Sequence, residues 1–281
     1  MPWQLPKLND LEVVAVLLNP SLFFDLADWG HQPLFDENKP AWQALAGLKA
    51  YMDTQNYQKC FATLAPSGPL GQTMVLHHDA LFDATECAIE FGDATKGKLM
   101  VSRGGNLLEG ASVIMAGVVL VGSRFRFGQG MLVEAGAFLK APAIIGDQTE
   151  VRQGAYLRGY CLVGKRCVVG HTTEVKHSIM LDDAKAGHFA YLGDSILGNH
   201  VNLGAGTKLA NLRFQSGEVV VKSEGGRIPT GLKKLGCIFG DHCQTGCNSV
   251  TNPGTLLGKK CALMPNTTAP SGYHPDRTLL R

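Results

Sequence analysis

Residues 121–175 read VGSRFRFGQGMLVEAGAFLKAPAIIGDQTEVRQGAYLRGYCLVGKRCVVGHTTEV. Large apolar residues occupy every sixth position: Val121, Phe127, Val133, Leu139, Ile145, Val151, Leu157, Val163, Val169 and Val175. Several are followed directly by glycine, as at Gly122, Gly128, Gly146, Gly164 and Gly170. On an α-helix six residues turn the side chain by about 600°, which scatters successive members over three faces. On a strand an even step keeps them on one face, yet strands in compact domains are far shorter than this stretch. A short strand, a turn and another short strand satisfy both constraints if they wind into a coil with every sixth side chain stacked inside. That is the hexapeptide β-helix pattern.

Outward from this stretch the phase slips by one residue after Val175 and resumes at Met180, Ala186 and Leu192. A second slip precedes Leu197, Leu203 and Leu209, and the pattern returns as Phe239, Thr245, Thr251, Leu257 and Leu263. Between them, residues 211–236 carry the turn residues and alternation of a protruding hairpin or arm. Its Lys222, Arg227, Lys233 and Lys234 suit either a lid over an anion or a solvated arm packed on a neighbouring subunit. Residues 1–100 lack the hexad. There Leu11–Leu18 reads as a buried strand ended by Asn19-Pro20, Pro40–Met52 as a helix, and Met74–Leu76 and Cys87–Phe91 as strands. The expected organisation is a small α/β region over 1–100, a coil over 101–265 interrupted by the arm 211–236, and an irregular tail over 266–281. The fold class is mainly β.

The 281 residues are 45% apolar and 18% charged, with 34 glycines and a net charge of +2. Glycine at that level suits a chain that turns every few residues, and the charge gives no reason to expect nucleic acid or an anionic membrane as a partner. The eight cysteines contain no Cys-x-x-Cys pair and read as small apolar fillers in a reducing compartment. The N-terminus carries no basic, apolar leader pattern and no apolar run is long enough to span a bilayer, so a cytoplasmic protein is expected. His77-His78 reads as a solvated pair beside a turn, and no metal is expected. A regular coil needs nothing chemical on its faces, so departures from the hexad are where function is sought. The two slips bracket residues 176–197, which are rich in Lys, Asp, His and Tyr.

The segments TEVKHS (173–178), KAGHFAYLGDS (185–195) and VNLGAGT (201–207) carry a resemblance. They resemble the acetyltransferase domain of the bifunctional N-acetylglucosamine-1-phosphate uridylyltransferase/glucosamine-1-phosphate N-acetyltransferase family. The archaeal-type sugar-1-phosphate nucleotidylyltransferases with an amino-sugar-1-phosphate acetyltransferase tail are more similar still, sharing Ala210–Phe214 and Lys233–Gly236. The resemblance spans about residues 100–265, and the uridylyltransferase half has no counterpart here. It implies a left-handed parallel β-helix, a homotrimer with sites between subunits, and acetyl-CoA as co-substrate. The implied acceptor is an amino-sugar 1-phosphate, with glucosamine-1-phosphate first and galactosamine-1-phosphate next.

The same resemblance implies residue roles. His188 matches the base that takes the amine proton, and Glu174 the carboxylate that orients it. That pairing makes chemical sense, because histidine titrates near neutrality and a carboxylate favours the imidazolium. Arg158 and Lys176 match phosphate ligands. They lie eighteen residues apart, one full triangular turn if each side takes one hexad, and so stack on one face. Tyr191 and Asn202 match sugar and phosphate contacts, Asn211 a residue near the acetyl group, and Lys234 a lysine reaching in from a second subunit. Leu212 stands where the fused enzymes have tyrosine, which leaves only its backbone amide to act. Ala205 matches a backbone contact to the coenzyme, while Cys247 and Pro265 fall where small residues line the pantetheine groove. Two other readings remain open. One is a hexapeptide acyltransferase acting on another amine. The other is a non-catalytic sugar-phosphate-binding or trimerising subunit that partners a separate nucleotidylyltransferase.

Overall fold

A computed structural model describes residues 18–64, 68–223 and 226–281. Three parallel sheets wind into a triangular coil of nine rungs. The first face runs from Ser112–Ile114 to Leu279–Leu280, the second from Val119–Val121 to Thr268–Ala269, and the third from Phe125–Phe127 to Gly272–His274. This is the parallel hexapeptide β-helix anticipated above. Each rung stacks its sixth residues on the next, as in Val133 under Val151, Leu139 under Leu157 and Ile145 under Val163, all essentially without solvent exposure. Burying each such side chain contributes roughly 1.5–3 kcal/mol.

The glycine after the sixth residue has a steric cause. At the corner from the third face to the first, an aspartate on one rung accepts a backbone N–H from the rung before. Asp147 accepts from Gln129, Asp182 from Lys165, Asp241 from Asn199 and Asp276 from Lys259, at 2.7–2.9 Å. A Cβ on Gly128, Gly164, Gly198 or Gly258 would lie 2.4–2.7 Å from that carboxylate oxygen.

The structure corrects the reading at several points. Val121 is 41% exposed, and Leu120 takes the inside position against Leu139. The corner after it holds one residue more than a hexad allows, so the strict phase starts at Phe127. Residues 266–281, expected to be irregular, continue the coil: Thr268–Ala269, Gly272–His274 and Leu279–Leu280 all pair in parallel with the rung before. The hairpin Val220–Ser223/Gly226–Pro229 does form, but it does not protrude. Val219, Val221 and Ile228 are buried against the third face.

That face is apolar on both sides. Ile144, Leu162, Ile179, Ile196, Ile238 and Leu256 point outward and are covered by Phe23, Phe24, Trp29, Phe35, Trp42, Leu45 and Leu48. The helix Gln43–Asp53 thus lies as a strap along the coil, beginning three residues after Pro40, which stands ahead of its first turn. The strap is pinned where Asp25 N–H and Asn199 N–H donate to Asp241, both at 2.7 Å. Met74–His77 and Ala80–Asp83 form an antiparallel hairpin that extends the first face, and Cys87–Glu90 pairs with Met100–Arg103. The strand expected over Leu11–Leu18 lies almost wholly outside the described residues. Cys161, Cys167, Cys237, Cys243 and Cys261 are buried free thiols packed in the coil interior. Burial pushes the Cys161 thiol up to about 12.

Candidate active site

The two slips in phase both fall at the corner from the second face to the third. Val163 stacks under Met180 and Met180 under Leu197, so these rungs take seventeen residues. The shortened corners are turned by His177 and Asp194, each with φ near +47° in the left-handed region. Asx side chains tolerate that region better than most. The next rung leaves the same corner as the arm.

Shortening brings four polar side chains together around Asp194, whose side chain is 10% exposed. Its Oδ2 accepts from Lys176 Nζ at 2.8 Å and from Asn211 Nδ2. Its Oδ1 lies 2.9 Å from His177 Nδ1. Tyr191 Oη in turn donates to Asn211 Oδ1 at 3.4 Å. Burial pushes the Asp194 carboxyl upward, but the hydrogen bonds from His177, Lys176 and Asn211 outweigh it and hold the group below the ordinary aspartate value. Burial raises the Tyr191 phenol. Gly193 is required by this packing. A Cβ there would stand 2.5 Å from Tyr191 Oη and 2.6 Å from Asn211 Nδ2.

Arg158 and Lys176 sit on neighbouring strands of the second face, whose register sets Leu157 on Val175. Their eighteen-residue spacing therefore does stack them. Arg158 Nη1 donates to Glu174 Oε1 at 2.7 Å, with both side chains at least one-third exposed. Glu174 and Tyr191 are register partners at the start of their strands. His188 is exposed at the end of its first-face strand, three residues before Tyr191, at the opposite corner of the second face from Asp194. Among the described residues its ring has no hydrogen-bond partner, and no bond joins it to Glu174, Arg158 or Lys176. Its neighbours are His171, in register on the rung before, and the exposed Phe189.

His188, Ala205, Cys247 and Pro265 follow one another along this corner, rung by rung. Gly206 N–H donates to the His188 carbonyl, Asn248 N–H to that of Ala205, and Asn266 N–H to that of Cys247, while a Cβ on Gly246 would meet Pro265. Asn202 lies elsewhere: exposed on the first face, in register with Lys185 and Gln244. Lys234 is exposed at the neck of the arm, in an antiparallel bridge with Leu212. Lys222 and Arg227 face each other across the hairpin.

One chain thus gathers Lys176, Tyr191 and Asn211 at one corner, with Arg158 and Glu174 on the adjoining strands. His188 and the three expected coenzyme contacts follow the other corner. Asp194, His177 and Gly193 complete the cluster and were not anticipated, although the Gly-Asp pair inside the segment 185–195 and the phase slip both pointed at them. Clefts of about 470 and 210 Å³ run along the third corner, lined in part by the aspartate ladder, away from these groups. Among the described residues no group of three or more His, Cys, Asp or Glu could hold a metal. No helix among them is long and apolar enough to cross a membrane.

Comparisons with known proteins fit this geometry. Residues 139–260 match a family model described as the GMPPB C-terminal domain. The bifunctional sugar-1-phosphate nucleotidylyltransferase/acetyltransferase of Sulfurisphaera tokodaii is 38% identical over 151 residues, 47% of this chain and 38% of that protein. The bifunctional protein GlmU of Methanocaldococcus jannaschii is 39% identical over 107 residues, 38% of this chain and 26% of that one. The chain therefore spans well under half the length of these relatives. A solved Arabidopsis UDP-N-acetylglucosamine acyltransferase aligns over 60% of this chain and 72% of that one, with 13% identity and a TM-score of 0.40, too distant to bear on function. The part of the coil that carries the slipped corner is thus similar to the GMPPB C-terminal domain and to a part of the bifunctional sugar-1-phosphate nucleotidylyltransferase/acetyltransferases.

Proposed function

We propose that this protein is an acetyltransferase that moves the acetyl group of acetyl-CoA to the amine of an amino-sugar 1-phosphate, with glucosamine-1-phosphate as first acceptor and galactosamine-1-phosphate as second. The observation that carries the reading is the cluster of Arg158, Lys176, Tyr191 and Asn211 on the second face and its corner. Two stacked cations suit a phosphate monoester, with the guanidinium offering two parallel hydrogen bonds. The phenol and the amide suit sugar hydroxyls and the acetyl oxygen. The relatives' names couple a sugar 1-phosphate with acetyl transfer, which supports the same acceptor class.

In this reading the amine attacks the thioester carbon, a tetrahedral adduct forms, and CoA leaves as its thiol. The amine must shed a proton on the way, and His188 takes it and returns it to the leaving sulfur. Glu174 is engaged by Arg158 in the free protein. A phosphate arriving on Arg158 competes for that guanidinium and frees Glu174 to orient His188, so acceptor binding and activation of the base are coupled. Backbone N–H groups at Asn211 or Leu212 would stabilise the oxyanion. Acetyl-CoA runs along the corner of Ala205, Cys247 and Pro265. The acceptor cluster lies on an open face, so we expect a homotrimer in which Asn202 and Lys234 of a neighbour close the site, and the free buried cysteines suit the cytoplasm.

Thiol release from acetyl-CoA, followed with and without each amino-sugar phosphate in wild type and His188→Ala, tests the proposal. The expected result is acceptor-dependent release that drops at least 100-fold in the variant, within the usual range for a positioned base. Release that ignores the acceptor, or survives in His188→Ala, rules the proposal out.

A further inference from the structure

We propose that Asp194 is a positioning residue of this site. It acts through Lys176 and Asn211 to fix which groups meet the acceptor, and the inference rests on the acetyltransferase reading above. A carboxylate this buried is retained only where its lone pairs are fully used, and here both oxygens are occupied. Oδ1 is held by His177 Nδ1 at 2.9 Å, which aims Oδ2 at Lys176 Nζ and Asn211 Nδ2.

The consequence for Asn211 is directional. An amide has one donor end and one acceptor end, and Asp194 accepts only. It therefore takes the NH₂ of Asn211 and turns the carbonyl oxygen toward Tyr191. The consequence for Lys176 is positional. One of its three N–H bonds goes to Asp194, which pins the ammonium beside the Arg158 strand and leaves two for a phosphate. The residue type and the backbone agree, because a short acidic side chain can hold the left-handed φ of +47° that the shortened corner demands. Among the described residues, Asp194 is the one carboxylate bonded to Lys176 and Asn211.

Asp194→Asn keeps the shape and the backbone preference but removes the two-sided acceptor, so Asn211 is free to flip and Lys176 to swing. Three measurements test the proposal. In Asp194→Asn, kcat for acetyl transfer to glucosamine-1-phosphate falls at least about tenfold. The acceptor KM does not rise, because a charge repelling the phosphate is also lost. Combined with Asn211→Ala, the double variant is no more than about twofold below the worse single one, as expected when two groups act as a unit. A merely structural loss lowers the active fraction and multiplies with the second change instead.

Acetic anhydride labelling, read by peptide mass spectrometry with Lys165 and Lys259 as internal references, is the arm independent of turnover. Lys176 reacts at least about threefold faster in Asp194→Asn, because an ammonium held against a carboxylate is shielded. Multiplying losses in the double variant, or an unchanged Lys176 rate, overturns the role of Asp194. A wild-type protein inactive on every amino-sugar phosphate sinks the functional reading instead, and the labelling arm still decides whether Asp194 holds Lys176.

Discussion

Replacing Gly193 with alanine tests the cluster by sterics alone. The φ of Gly193 is not in the left-handed region, so alanine meets no backbone penalty there. What it meets is two polar atoms, Tyr191 Oη at 2.5 Å and Asn211 Nδ2 at 2.6 Å. Ordinary contact needs about 3.4 Å or more, so both groups must withdraw by nearly an ångström. Asn211 then loses its charge-assisted bond to Asp194, worth about 1.5–3 kcal/mol, and the weaker Tyr191 bond, worth about 0.5–1 kcal/mol. The alanine restores about 0.4–1 kcal/mol by restricting the unfolded chain. The net loss is about 1–3.5 kcal/mol, which corresponds to a Tm fall of about 2–6 °C for a chain of this size. Acetyl transfer should fall at least about tenfold while the acetyl-CoA KM stays within about twofold, because the proposed coenzyme edge lies at the other corner. Differential scanning fluorimetry and the thiol assay measure both, with Gly71→Ala as control, since a Cβ there finds nothing within 4 Å. If Gly193→Ala leaves both Tm and turnover at wild-type values, the cluster is not packed as described.

Three further outcomes follow from the strap and its anchors. Leu48→Ala removes a fully buried side chain between the strap helix and the third face, and urea unfolding should report a loss of about 2–5 kcal/mol. Asp241→Ala leaves the N–H groups of Asp25 and Asn199 without their acceptor, and should cost about 2–4 kcal/mol and raise protease cleavage within residues 18–57. His31 is held neutral to about pH 4 by burial and by the Arg126 guanidinium, whereas the unfolded imidazole protonates near 6.5. The unfolded chain therefore binds the extra proton first. Stability should be level above about pH 6.5 and fall between there and pH 4 by on the order of 2–3 kcal/mol, with a flatter profile in His31→Gln.

The coil was legible because a six-residue period has one structural solution, and the stacking of Arg158 on Lys176 followed from that period alone. Val121 was misread for a local reason: the corner after Leu120 holds an extra residue, and the valine beside it is just as apolar. The strap's seat was written in the sequence too. Outward positions 144, 162, 179, 196, 238 and 256 are all Ile or Leu, where a solvated face would alternate with polar residues. That signal spans more than a hundred residues and only becomes a stripe once the rung length is known. The tail was hidden by Pro270 and Pro275, which read as breakers but sit at corners where no ladder N–H is needed. Asp194 was hidden differently. It lies eighteen residues after Lys176, so the count that stacks Lys176 on Arg158 also reaches it, but the short corner sets Gly193 over Lys176 in register and moves Asp194 into the turn.

The slips at 176–178 and 193–195 and the departure of the arm at 211 occur at one corner on three successive rungs. The third corner, by contrast, repeats its glycine–aspartate pattern through the coil. A random loss of regularity would not be confined this way. The arm adds a physical link between that corner and the rest of the molecule. Its first residue, Asn211, belongs to the cluster, while its Val219, Val221, Ile228 and Leu235 are buried with Trp42, Leu45 and Leu48 of the strap. Asn211 is thus gripped from two sides, by Asp194 through its amide and by Leu235 N–H through its carbonyl. The segment before residue 100, which carries none of the expected site residues, helps to set the corner of Asp194 and Asn211 through the core it shares with the arm.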